Sequence, residues 1–95
     1  MQYQVKMTLY ATEQVKETVP YISHELASPY TARGWSEHLQ KEIVGLNTFP
    51  ERFPCVEEEP WKSRGLRKMV VKNFTVYFFV NNKEQTGIVS KMLNN

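Results

Sequence analysis

The sequence predicts an α+β fold of order β-α-α-β-β-β, an antiparallel sheet with a helical hairpin packed on one face. Three observations predict it. Polar and apolar residues alternate at the start of the chain, two stretches carry apolar residues at helical spacing, and the last third is rich in Val, Phe and Tyr with a turn cluster inside it. The 95 residues make one domain, 1–95. A chain of this size buries roughly 60–70% of its unfolded surface. Leu, Ile, Val and Phe fill 24 of the 95 positions, which supplies one layered core and excludes a disordered chain.

The first strand is read from residues 2–8, where Tyr3, Val5 and Met7 fall on one side and Gln2, Gln4, Lys6 and Thr8 on the other. Val15, Val19, Ile22 and Leu26 then recur at helical spacing, with Thr12 as the expected N-cap. Pro20 lies inside that pattern and is expected to kink the helix or end it. Ser28-Pro29 starts the second helix with a cap residue and a proline at the first helical position. Its apolar stripe is Trp35, Leu39, Ile43 and Leu46, and its polar face carries Arg33, Glu37 and Lys41. Residues 47–65 lose all periodicity and contain Pro50, Pro54 and Pro60, so they read as a long irregular connection. Strands follow at 66–73 and 74–80, then the turn Asn81-Asn82-Lys83-Glu84, then a last strand near 87–93 that is expected to leave an edge for a partner strand.

Charge and composition narrow the function classes. No apolar run approaches the roughly 18 residues of a membrane helix and no signal peptide is evident, so no membrane is expected and the cytoplasm is the expected compartment. The lone Cys55 fits a reducing compartment, and with His24 and His38 it has no metal-ligand spacing, so neither metal nor cofactor is expected. The acidic residues are ten Glu and no Asp, against eight Lys and four Arg, a net charge of +2. Five of the twelve cations, Lys62, Arg64, Arg67, Lys68 and Lys72, fall within eleven residues just after Glu57-Glu58-Glu59. Such a cluster suits nucleic acid or an acidic partner. Trp35 and Trp61 read as packing residues, Cys55 as an inert small one, and His24 and His38 as surface residues.

An ordered series of short elements carries a resemblance. Tyr21-Ile22, Ser28-Pro29 with Ala32, Phe49-Pro50, Glu59-Pro60-Trp61-Lys62 and Gly65-Leu66-Arg67-Lys68, followed by the three-strand meander, resemble the RelE/ParE superfamily over nearly the whole chain. These are toxins of bacterial type II toxin–antitoxin, or plasmid stabilisation, systems. The resemblance implies a small growth inhibitor that acts on translating ribosomes by cutting mRNA, or alternatively poisons DNA gyrase, and is silenced by a cognate antitoxin. A degenerate member that binds antitoxin without harming the cell is a third reading. Two positions depart from the pattern of the cutting members. Thr75 stands where they commonly have an arginine, and Asn94 stands where a tyrosine would follow the basic Lys91.

Cleavage by 2′-hydroxyl attack requires a base, charge stabilisation at the phosphorane and a proton for the leaving oxygen. The resemblance makes Arg67 the phosphate-contacting residue and Glu59 the base, the two candidate catalytic residues. Lys62, Arg64, Lys68, Lys72 and Lys91 are the candidate RNA-binding residues. A guanidinium fork suits two phosphate oxygens. Neighbours on a strand point opposite ways, so Arg67 and Lys68 share a surface only if a bulge intervenes.

Overall fold

The structure is a computed structural model that describes the backbone of residues 2–26 and 29–94 and the side chains of 2–18, 20 and 33–94. The expected roles of Val19, Tyr21, Ile22, His24, Leu26, Ser28 and Ala32 lie outside the described side chains. The elements are β1 (Gln4–Met7), α1 (Leu9–Leu26), α2 (Pro29–Val44), β2 (Arg67–Val71), β3 (Phe74–Asn81) and β4 (Thr86–Asn94). They form a four-stranded sheet of order β1-β4-β3-β2.

The meander β2-β3-β4 is antiparallel, as its sequence predicts, but β1 lies parallel to β4 with Gln4 opposite Thr86 and Met7 opposite Val89. The sheet is therefore mixed, which corrects the all-antiparallel expectation. The helical hairpin and the connection after it deliver β2 in the direction of β1, and two reversals leave β4 in that direction too.

Thr8 alone separates β1 from α1, and it is the N-cap in place of Thr12. Its hydroxyl accepts from the Ala11 N–H at 3.0 Å and donates to the Ser90 carbonyl at 2.8 Å. The Thr12 hydroxyl instead donates back to the Thr8 carbonyl. The helix therefore starts one turn earlier than the apolar periodicity alone indicates. α1 also runs unbroken through Pro20, which sits exposed on its outer face. A proline inside a helix removes one backbone donor without ending the helix where its neighbours hold it.

Beyond the end of β1, the flank of β4 is covered from α1. The Gln14 side-chain amide donates to the Met92 carbonyl at 2.7 Å and accepts from the Met92 N–H at 2.8 Å, taking the place of a neighbouring strand. The edge expected at the last strand is thus an interior position, closed by β1, Thr8 and Gln14.

One face of the sheet packs against the helices. Ala11 and Val15 of α1, Leu39 and Ile43 of α2 and Leu46 in the following 3-10 turn meet Met69, Val71, Phe74, Val76, Phe78, Val89 and Met92. Trp35 closes this core edge-on to Phe74 at 5.4 Å, and Phe53 does the same to Phe78 at 6.0 Å. Residues 47–65 are less irregular than their composition suggests. Val56 N–H donates to the Leu66 carbonyl and Lys68 N–H to the Pro54 carbonyl, so 54–56 cover part of the β2 edge.

Candidate functional site

Among the described residues no helix covers the second face of the sheet, and that face gathers the chemistry. Register places Lys68, Tyr77 and Lys91 in one row across β2, β3 and β4. A register shift between Tyr77 and Phe78 makes this possible: Phe78 pairs with Val89 and Tyr77 with Lys91, leaving Ser90 as the extra residue. Without that bulge, Lys91 and Leu93 would point into the helix layer and Met92 away from it. The Lys91 ammonium lies 5.4 Å from the centre of the Tyr77 ring.

Beside this row the loop after Val56 folds back over the sheet and makes a groove of about 330 Å³. Its apolar wall is Val56, Leu66, Tyr77, Phe79 and Leu93, closed by Trp61, with Glu58, Ser90 and Lys91 as polar rim. Trp61 is 42% exposed and Leu93 44%. Trp61 is therefore a wall of the groove and not the packing residue expected of it, while Trp35 does pack. The Arg64 guanidinium lies 5.4 Å from the Trp61 ring.

The candidate catalytic residues do not join this row. Arg67 is on the helix face, opposite Phe78. Its guanidinium donates to the Phe53 carbonyl at 2.7 Å and the Glu51 carbonyl at 3.3 Å, and stands 3.9 Å from the Glu51 carboxylate. Glu51 in turn accepts from Asn82 at 3.2 Å. Only 22% of the Arg67 side chain is exposed, and its bonds to the Glu51 and Phe53 carbonyls staple the 49–53 segment to β2. The bulge lies in β4 and leaves Arg67 and Lys68 on opposite faces.

Glu59 is held within its own turn. Its carboxylate accepts from the Ser63 N–H and the Ser63 hydroxyl, each at 2.8 Å. The Ser63 hydroxyl first, and the Ser63 amide second, hold this carboxyl below the usual carboxylate range, against a small opposing effect of burial. A depressed pKa means a weaker base. Ordering from this contact is fully present above the ordinary Glu value and is lost as pH falls through the lowered one. The Ser63 amide resonance, followed by NMR from neutral to acid pH, is expected to move with a midpoint below that of an ordinary glutamate; a midpoint at or above it would contradict the contact.

Of the candidate RNA-binding residues, Lys68 and Lys91 lie on the open face. Lys62 and Arg64 are exposed on the loop that forms the groove wall. Lys72 leans the other way, with its ammonium 5.4 Å from the Trp35 ring. Asn94 faces the helix side, where it lines a second cavity with Gln14, Glu17, Thr18, Phe74 and Met92. A tyrosine placed there would deliver its hydroxyl to that cavity and not to the open face, so position 94 is not equivalent to a leaving-group tyrosine. Thr75 is on the open face but buried, paired in register with Val70 and Leu93.

No protein-family model matches the sequence, and no curated protein matches it at a significant level. Solved structures do match. The chromosomal ParDE toxin–antitoxin system of P. aeruginosa superposes with a TM-score of 0.77 at 14% identity, over 98% of this chain and 96% of that one. This chain has the RelE/ParE fold. The RelBE2 toxin–antitoxin complex of Mycobacterium tuberculosis gives a TM-score of 0.66 at 12% identity, over 100% of both chains. The intact E. coli RelBE complex gives 0.65 at 12% identity, over 98% of this chain and 96% of that one. The three matches each extend over 98–100% of this chain. No helix among the described residues is long and apolar enough to cross a membrane.

Tyr77, Phe79, Leu93 and the groove role of Trp61 are the features that sequence reasoning missed. The signal for them is the run Phe74-Thr75-Val76-Tyr77-Phe78-Phe79-Val80, which is apolar at both periods of a strand. A strand with apolar residues on both faces is one whose second face also takes cover.

Proposed function

We propose that this protein is the toxin of a type II toxin–antitoxin pair, a growth inhibitor neutralised by a cognate antitoxin. The end-to-end match to toxin–antitoxin structures supports this reading, together with the order of short motifs along the chain. We propose further that it inhibits by binding a protein target through the open sheet face, with DNA gyrase the target that the ParE branch implies. The observation that carries this choice is the groove itself: an apolar cleft walled by Trp61, Phe79 and Leu93 suits a protein surface better than a phosphate backbone. The residues a cleavage reaction would need are dispersed. Arg67 is engaged with carbonyls on the other face and Glu59 with Ser63.

Ribosome-dependent mRNA cleavage is the second reading, and one observation favours it. The row Lys68-Tyr77-Lys91 offers two ammonium groups to phosphate oxygens and a phenol hydroxyl between them. Inducible expression in a bacterium, with primer extension on ribosome-bound mRNA, separates the two. The binding reading expects growth arrest without new cuts. Cuts that appear on induction and vanish with Tyr77→Phe would overturn it in favour of cleavage, and undisturbed growth would sink both.

A further inference from the structure

The groove beside Tyr77 is preformed, because the loop that walls it supports itself. The Lys62 N–H donates to the Glu58 carbonyl at 2.9 Å, the Leu66 N–H to the Trp61 carbonyl at 3.0 Å, and the Val56 N–H closes the base of the loop on the Leu66 carbonyl at 2.9 Å. Two opposite charges stand on its rim, Glu58 on the loop and Lys91 on β4. No ion pair joins them among the described residues. That pair of charges selects among occupants. A neutral apolar group would strip water from both and answer neither. An anion would meet Lys91 but also Glu58, within the run Glu57-Glu58-Glu59, and a cation would meet Lys91. A small molecule that carries both signs next to an apolar body answers the walls and the rim together. The volume, about 330 Å³, is at the small end for a ligand site and suits a molecule of that kind better than a cofactor.

We propose that this groove binds a free α-amino acid with a large apolar side chain, which lies against Tyr77, Phe79, Leu93 and Trp61 while the α-ammonium faces Glu58 and the α-carboxylate faces Lys91. The covered apolar area supplies most of the affinity, and the two charges choose the class of ligand. A residue inside a peptide chain has neither charged group and a chain terminus has one of the two, so the rim separates a free amino acid from a protein segment. Trp61 and Leu93 are each more than two-fifths exposed, so the ligand stays partly hydrated and the expected Kd is on the order of 1 mM. The proposal is independent of the toxin reading, and its test does not involve growth.

Titration of the purified, ¹⁵N-labelled full chain, followed by NMR at the two indole N–H resonances, tests it. Trp61 reports on the groove, and Trp35, packed against Phe74 under the other face, is the internal control. The probes are L-phenylalanine, its amide, which lacks the carboxylate, its N-acetyl derivative, which lacks the ammonium, and glycine, which lacks the side chain. L-phenylalanine is expected to move the Trp61 resonance and not that of Trp35, and to bind at least about fivefold more tightly than each of the other three. Glu58→Gln is expected to remove the advantage of L-phenylalanine over the N-acetyl derivative, and Lys91→Gln its advantage over the amide. Thermal melts show that each variant is folded. No movement of Trp61 at about 20 mM L-phenylalanine, equal binding of any of the other three probes, or preferences that survive both substitutions would overturn the proposal.

Discussion

Leu93→Glu is expected to abolish growth inhibition while leaving the fold intact. Leu93 is 44% exposed, so the new carboxylate can remain hydrated in the free protein and the melting temperature should hardly change. In a complex across the open face the same carboxylate would be desolvated against Trp61 and Phe79, at a cost of about 2–4 kcal/mol, roughly 30- to 1,000-fold in affinity. Counting colonies after induction of the wild type and the variant, beside thermal melts of both proteins, makes the comparison. A stable Leu93→Glu protein that still arrests growth would remove the open face from the account.

Arg67→Ala is expected to do the reverse. Its guanidinium ties two backbone carbonyls of the 49–53 segment to β2, and charge-assisted bonds of that kind contribute about 1.5–3 kcal/mol together once exposure is allowed for. The ion pair to Glu51, at 3.9 Å and partly exposed, adds little. For a domain of this size the loss corresponds to roughly 6–20 °C in Tm. Growth inhibition should fall only as far as the folded population falls. Arg67→Lys should recover part of the stability, because both carbonyls are bonded by one guanidinium nitrogen, Nη1, whose place an ammonium can take in part, while the Nη2 approach to the Glu51 carboxylate is lost. Loss of toxicity in Arg67→Ala with an unchanged melting curve would return Arg67 to the catalytic role.

What could be read in the sequence follows from which interactions are local. The stripe Leu39, Ile43 and Leu46, the start of α2 at Pro29 and the three-strand meander depend on periodicity and turn chemistry, which a single chain displays. Local sequence does not distinguish Thr8 from Thr12 as the N-cap, because they are one turn apart and both carry a hydroxyl. What separates them is the Ser90 carbonyl, 82 residues away from Thr8 in sequence. The parallel placement of β1 and the covering of β4 by Gln14 are also long-range, and no spacing announces them.

The candidate site was legible in composition but not in direction. The basic cluster is real, yet alternation sends Arg67 to the helix face, Lys68 to the open face and Lys72 toward Trp35. A bulge of one residue at Ser90 decides that Lys91 and Leu93 join Lys68. A bulge reverses the phase of every residue after it, which is why a two-residue period cannot be extrapolated through an unseen one. The base role of Glu59 rests on its motif alone, and in the structure its carboxylate accepts from Ser63.

Pulse labelling of DNA and protein synthesis after induction, with wild type and Leu93→Glu side by side, tests most directly the claim that this fold inhibits growth by binding a protein through its open sheet face. DNA synthesis is expected to stop before protein synthesis in the wild type, and both are expected to continue in Leu93→Glu. Protein synthesis that stops first, or arrest that is equal in the two strains, would contradict it.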